Sequence, residues 1–238
     1  METWNRGFRL TWLGHSAFEL VTKSGTVLLL DPWLEGNPKC PPERAQPGKA
    51  DVIALSHAHG DHAAQVPALA LRLGCPVVCG YEAYVHLEGK GVTTCKPMGK
   101  GGTQTVAGIT FTMVHATHSS SFDEPGRPHG GGEAGYVLTL EDGTRIYYAG
   151  DTGPTMDMVA VRELYAPEIA ILPIGDLFTM GPREAAWAAE KLGARWLVPM
   201  HYRTFAELTG TVDAWRAELR SRGVDAEVIA PEPGEAVT

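Results

Sequence analysis

No stretch of the chain approaches the ~20 consecutive apolar residues that a helix needs to cross a bilayer. Its opening residues, Met-Glu-Thr-Trp-Asn-Arg, carry no apolar core of the kind that directs export. Membrane association is therefore not expected, and a cytoplasmic setting is. Cysteine is scarce. The four present, Cys40, Cys75, Cys79 and Cys95, form no C-x-x-C pair. In a reducing compartment they read as buried or loop thiols rather than as a disulfide framework or a metal site. Basic residues are the minority: Lys and Arg total 20 against 28 Asp and Glu, a net charge of −8. That balance argues against a dedicated duplex-DNA binder, whose affinity rests on basic surface. It leaves room for a small anionic substrate at a site that supplies its own cations.

What the chain does have is apolar content and punctuation. Over 238 residues, 44% are hydrophobic and 20% charged, enough to bury a large core and to exclude disorder, collagen and coiled coil. With 28 Gly and 17 Pro, many turns are expected, with function carried on loops. Short strands are predicted over 8–13, 17–21 and 26–30, then a Pro-rich loop over 31–51 and a buried strand over 52–55. Helices are predicted over 67–73 and 81–88, flanking a strand that begins at Val77. The second half repeats the style. A strand over 109–115 precedes a hairpin, 134–140 and 144–149, turned by Asp142-Gly143. Helices over 155–164, 182–192 and 212–222 then alternate with strands over 169–172 and 196–198. There is no exact internal repeat. Two halves of this shared character suggest two sheets sandwiched between helices in one domain.

One segment carries chemistry. Residues 56–62 read Ser-His-Ala-His-Gly-Asp-His, directly after an apolar strand. His57 and His59, two apart in an extended turn, can converge on one ion, and Asp61 and His62 can turn towards a second. Neutral imidazole and carboxylate suit borderline or hard first-row cations.

The segment resembles the metallo-β-lactamase superfamily, and the resemblance covers nearly the whole chain. It extends to Trp12-Leu13-Gly14-His15-Ser16, Leu30-Asp31-Pro32, Thr117-His118-Ser119-Ser120-Ser121-Phe122 and Tyr148-Ala149-Gly150-Asp151-Thr152-Gly153. It continues through the run from Leu172-Pro173-Ile174-Gly175-Asp176 to Pro182 and through Pro199-Met200-His201-Tyr202. The branch it resembles is the bacterial and archaeal metal-dependent hydrolases, close to the L-ascorbate 6-phosphate lactonases. The resemblance implies a four-layer αββα sandwich forming a single domain over 1–238. It implies two divalent metal ions, zinc or manganese first, iron or nickel as alternatives. His57, His59 and His118 would ligate one ion, Asp61, His62 and His201 the other, and Asp151 would bridge them. His57, His118, Asp151 and His201 each follow a predicted strand, where α/β sheets place their sites. His115 is the alternative to His118, disfavoured because it ends a strand and would point into the sheet.

Other residues are open between site and structural roles. His15 could line the site or donate a proton, Asp31 could orient a ligand imidazole, and Asp176 could line the same edge or merely form a turn. Tyr202 could present its hydroxyl to substrate or simply pack. His86 and His129 are read as bland. The loop over 119–135, with five glycines and two prolines, has the build of an irregular, glycine-hinged lid. Phe122 would cover the site, and Arg127 would grip a phosphate or carboxylate.

The function expected is hydrolysis of a small anionic ester or lactone by a water activated between two metals. Asp61 would orient that water and take up its proton. Phosphodiester or RNA cleavage is the alternative, and an iron oxidoreductase a more distant one. No membrane partner is expected, nucleic acid is disfavoured with RNA left open, and homo-oligomerisation is left open.

Overall fold

The computed structural model describes residues 7–238; the opening six, read above as lacking an export signal, lie outside the described residues. The first half of the chain builds one sheet. Strands β1 (Arg9–Trp12), β2 (Phe18–Val21) and β3 (Val27–Leu30) form an antiparallel meander. The chain then runs parallel through β4 (Val52–Ala54), β5 (Val77–Gly80) and β6 (Lys96–Met98). Parallel neighbours need crossovers. The step from β3 to β4 is the Pro-rich loop with one 3-10 turn (Pro42–Arg44); the later steps are α1 (Gly60–Ala63) with α2 (Val66–Leu73), then α3 (Tyr81–Gly89).

The second half builds a matching sheet. Here β7 (Thr103–Val106), β8 (Ile109–His115), β9 (Ala134–Thr139) and β10 (Arg145–Tyr148) are antiparallel. From β10 the sheet is parallel through β11 (Ile169–Pro173), β12 (Trp196–Met200) and β13 (Glu227–Val228). The crossovers are α4 (Asp157–Tyr165), α5 (Pro182–Leu192) and α6 (Val212–Ser221). A last short strand, β14 (Ala236–Val237), returns to pair with β1.

Strand alternation explains the layering. Leu28, Leu30, Val52, Ala54 and Val78 face the second sheet and join one core with Phe111, Tyr136, Tyr148 and Ile171. Their neighbours Leu29, Ile53, Val77 and Cys79 face the other way and pack with Leu69, Ala70, Ala83 and Leu87 of α2 and α3. On the far side, Ala185, Ala189, Trp215 and Leu219 of α5 and α6 cover the second sheet. The four layers are thus helix, sheet, sheet, helix, as expected, and all four cysteines are free. No described helix is long and apolar enough to cross a membrane.

Parallel strands share a direction, so the carboxyl ends of β3 and β4 lie at one edge of their sheet, and those of β10, β11 and β12 at one edge of theirs. His57, Asp151 and His201 all leave such ends.

Candidate metal centre

Three strand-end residues around the centre hold left-handed backbone without being glycine: His15 at φ 54°, Asp31 at φ 41° and His201 at φ 52°. Such strain persists where the surroundings over-determine it and concentrates at functional sites. At His15 the cause is visible. Its carbonyl accepts from the Trp12 indole at 2.8 Å and from the His201 amide at 3.0 Å, pinning the first sheet to the second. Gly150, at φ 61°, has no room for a side chain. A Cβ there would lie 2.6 Å from the Ala134 carbonyl and 2.9 Å from Ser56 Cβ, and this close turn delivers Asp151.

The metal-motif segment divides in two. His57 leaves β4 in extended chain and His59 is the N-cap of α1, so Asp61 and His62 ride a single helical turn that sequence reasoning missed. Four imidazoles converge on one carboxylate oxygen. Asp151 Oδ2 lies 3.0 Å from His201 Nε2, 3.3 Å from His62 Nε2, 3.7 Å from His118 Nε2 and 4.0 Å from His57 Nε2. Asp151, His57, His62 and His201 are buried. Ligand atoms of His57, His59 and His118 form one cluster within 4.8 Å of one another, and those of His15, Asp61, His62 and His201 form another.

Behind these atoms the hydrogen bonds are assigned by what each group can do. A carboxylate only accepts. His62 Nδ1 therefore donates to Asp31 Oδ2 at 2.7 Å, which turns the Nε2 lone pair towards Asp151. Asp31 also accepts from the Ser56 amide at 2.7 Å and from the Ser56 hydroxyl. With its proton committed there, Ser56 Oγ accepts from His57 Nδ1 at 3.0 Å, and His57 Nε2 is likewise freed for the centre. Tyr148 adds its hydroxyl 2.7 Å from Asp31 Oδ2. On the other flank, His15 Nε2 donates to Asp61 Oδ2 at 3.0 Å, and His15 Nδ1 accepts from the Thr204 hydroxyl at 2.8 Å.

Charge follows burial and neighbours. Burial, then His62, holds His57 well below the ordinary histidine range. Burial, then His201, lowers His15 to about 4. Burial also lowers His118. Burial opposes the charge on His62 too, but Asp151 and Asp31 together outweigh it and raise that group well above its usual value. For Asp151, burial is overcome by His201 and His62, and the carboxyl is held well below its usual range.

The donor set fits a metal. Asp151 Oδ1, His62 Nε2 and His201 Nδ1 are buried without a hydrogen bond. His57 Nε2 and His59 Nδ1 face each other at 3.0 Å. Unpartnered buried polar atoms are costly unless a bound ion or water satisfies them, and imidazole with carboxylate is a first-row divalent set.

Four expectations are corrected. Tyr202 does not face the centre: its ring stacks on Trp12 at 5.1 Å and its hydroxyl bonds Arg203. Because His201 turns in through a left-handed backbone, its neighbour is sent into the core. Asp176 is exposed and accepts from the Leu177 amide at 2.8 Å, so it builds a turn. Arg127 is exposed, with no side-chain partner among the described residues, and its amide closes a turn onto Glu124. The loop over 119–135 is irregular up to β9, as expected, but it lies packed down. Ser121 and His129 form an isolated β-bridge, and Phe122 is buried, stacked on His86 at 3.8 Å. Gly130, Gly131 and Gly135 are close-packing sites, whereas Gly126 has open space around it. A Cβ at Gly130 would lie 2.2 Å from Ala58 Cβ, within the metal motif itself. His115 turns outward to Lys100 and Thr117, while His118 joins His57 and His59.

Sequence reasoning also missed Ser56, Tyr148, Thr204 and Glu133, whose carboxylate accepts from the His118 amide at 3.1 Å. Only Ser56 had a signal, its place beside His57.

Comparison with known proteins agrees with this geometry. A sequence model of the beta-lactamase superfamily domain matches residues 26–202. The chain belongs to that superfamily. Within it, the chain is 45% identical over 247 residues to a UPF0173 metal-dependent hydrolase of Chloroflexus aurantiacus, covering 100% of both chains. A UPF0173 relative from Solibacter usitatus is 46% identical over 96% of this chain and 98% of its own. Among solved superfamily structures, Igni18, a metallo hydrolase of the archaeon Ignicoccus hospitalis, superposes with a TM-score of 0.85 at 34% identity. That match covers 97% of each chain.

Proposed function

We propose that this chain hydrolyses a small carboxylic ester or lactone at a centre of two divalent ions, zinc or manganese. In this reading His57, His59 and His118 would hold one ion, Asp61, His62 and His201 the other, and Asp151 would serve both. The observation that carries it is the convergence of four imidazole Nε2 atoms on the buried Asp151 Oδ2 within 3.0–4.0 Å, with Asp151 Oδ1 unpartnered. When bound, such a pair supplies Lewis acidity and lowers the pKa of a coordinated water towards neutrality.

The chain's own residues do the rest. Asp31 and Ser56 hold His62 and His57 in the tautomers that present Nε2 inward. Asp61, 30% exposed in its side chain, is the solvent-reaching carboxylate of the cluster, and there it can orient a water and accept its proton. His15, wholly buried and neutral, donates to Asp61 and fixes its direction. No Ser or Cys nucleophile is required.

The ester and lactone reading is supported by the resemblance to lactonases. The grip on a phosphate or carboxylate expected of Arg127 is not made, because that side chain faces solvent. The test is metal-reconstituted protein, zinc and manganese separately, against a panel of lactones, carboxylic esters, phosphodiesters and RNA. Turnover of lactones or esters, lost together with bound metal in Asp151→Ala, is the expected result. Cleavage confined to phosphodiesters or RNA would replace the reading, and purified protein loaded with iron and inert towards the whole panel would point to redox chemistry instead.

A further inference from the structure

Two aromatic side chains that follow strands of opposite sheets meet beside His15. Trp33 follows Asp31 at the end of β3, and Phe205 follows His201 at the end of β12. Their rings lie 6.1 Å apart, tilted by 31°. Each also meets His15 edge-on, Trp33 at 5.4 Å and Phe205 at 5.6 Å. His15 is wholly buried and bonds Asp61, the partly exposed carboxylate of the cluster, so the pair lies on the side of the centre nearest Asp61. Phe205 is 40% exposed and Trp33 is partly exposed, with its indole N–H lacking a partner among the described residues.

Elsewhere on the same edge of the second sheet, the turn after β11 exposes Leu177 at 61% and Phe178 at 60%. Asp176 and Leu177 are both left-handed there, and the turn is tied to the centre by the Met180 amide on the Thr152 carbonyl, next to Asp151. A backbone strained to hold apolar side chains out in solvent beside a buried polar centre needs an explanation other than packing.

The cations beside the pair are already engaged by one carboxylate. Arg203 gives both terminal nitrogens to Glu232, at 2.9 and 3.1 Å, and Lys39, which packs against Gly14 next to His15, acts on the same Glu232. An anionic tail would therefore meet aromatic faces and no free guanidinium among these groups.

We propose that the non-reacting part of the substrate is an uncharged, apolar group, an alkyl chain or aryl ring, that packs on Trp33 and Phe205. This rests on the ester and lactone reading for the reaction, but not for the binding wall. Aromatic side chains lose little rotamer freedom on binding and offer large flat contact area.

The experiment separates the two. Binding is measured first, with the non-hydrolysable 2-alkylcyclopentanones from methyl to hexyl, by their effect on tryptophan emission. Affinity is expected to rise about fourfold per added methylene until the wall is covered. The emission change should vanish in Trp33→Phe, and the chain-length dependence should flatten in Phe205→Ala with metal content unaltered. Turnover is then measured with γ-lactones of the same tails and one bearing a phosphate. A KM that falls with tail length, and a phosphorylated lactone poorer than its hexyl counterpart, support the proposal. Ketone affinity independent of tail length, or unchanged in both variants, overturns it. Tail-dependent ketone binding without hydrolysis of any lactone overturns the reaction and leaves the wall.

Discussion

His62 and His57 reach the centre from the core, whereas His59 and His118 reach it from chain near the surface. The inner pair is buried, and both members are held through Asp31, directly for His62 and by way of Ser56 for His57. The outer pair is partly exposed, and His59 Nε2 has only the Ser119 hydroxyl at 3.4 Å. Its position is set by backbone contacts. The Ser120 hydroxyl accepts from the Ala58 amide, Asp123 accepts from the Gly60 amide, and Gly130 presses on Ala58. One half of the centre is therefore aimed by a side-chain network, the other by a loop laid across the motif. The two halves should fail differently.

The largest effect is expected at the inner anchor. Asp31 is wholly buried and serves Ser56, His62 and Tyr148 at once. Asp31→Ala leaves these donors without their acceptor, and losing one partner of a buried pair costs about 3–5 kcal/mol. In a domain of this size that lowers Tm by about 6–20 °C. The measurement is thermal unfolding in chelator, where metal release cannot contribute. A change of only a degree or two would mean that the network does not organise the inner half.

Acid should then discriminate between buried and exposed histidines. His15 titrates at about 4 in the folded chain against 6.5 ordinarily, because burial and then His201 disfavour its cation. A histidine depressed on folding binds its proton more tightly when unfolded. The stability it contributes is complete above pH 6.5 and is lost as pH falls towards 4. That gap corresponds to about 3 kcal/mol. His57 and His118 are shifted in the same direction and steepen the same limb. His62 is raised instead, so its stabilisation is present below pH 6.5, lost only as pH climbs through its raised value, and adds no acid slope. Unfolding free energy of the metal-stripped protein should fall steeply between pH 6.5 and 4 and less so in His15→Gln. Parallel curves for the two would contradict the burial account.

The outer half is probed by Gly130→Ala. The added Cβ would meet Ala58 Cβ at 2.2 Å and Ser120 Oγ at 2.6 Å, both on the surfaces that hold the loop to the motif. Overpacking of this kind costs about 1–3 kcal/mol. Because the displaced residue lies between His57 and His59, weakened metal binding should accompany a modest loss of stability, with the inner network intact. Full retention of metal affinity would show that the loop lies on the motif without shaping it.

These contrasts also mark what was legible in the sequence. Apolar runs bounded by Gly and Pro announced β3, β4, β8, β11 and β12 and the helices between them, because burial on both faces writes itself into composition. The edge strands β6 and β7 were missed. Residues Lys96-Pro97-Met98 and Thr103-Gln104-Thr105 are largely exposed and carry no period to read. The metal motif was legible because its ligands are adjacent in sequence. Their supports were not. Asp31 reaches Ser56 across 25 positions and Tyr148 across 117, and His15 reaches Thr204 across 189. Tyr202 was misplaced for a local reason: a left-handed His201 inverts the side from which its neighbour emerges.

The smallest effect is expected at Arg127, and its smallness is informative. A cation in a glycine-rich loop beginning at a ligand histidine invites the role of substrate clamp. In the folded chain Arg127 lies at φ 42° on the far turn of that loop, after Gly126 at φ 83°, and its side chain faces solvent. The loop's inward face is already filled by Phe122 against His86 and by Gly130 against Ala58. A swing inward would have to undo the Ser121–His129 bridge and expose Phe122, which is 5% exposed. Re-exposing that ring alone costs about 1.5–3 kcal/mol, more than an exposed ion pair returns at about 0–1 kcal/mol. Arg127→Ala should therefore change stability by less than about 0.5 kcal/mol and leave KM and metal content within error. A several-fold rise in KM for an anionic ester, absent for its neutral analogue, would restore the clamp and show that the outer half closes on substrate.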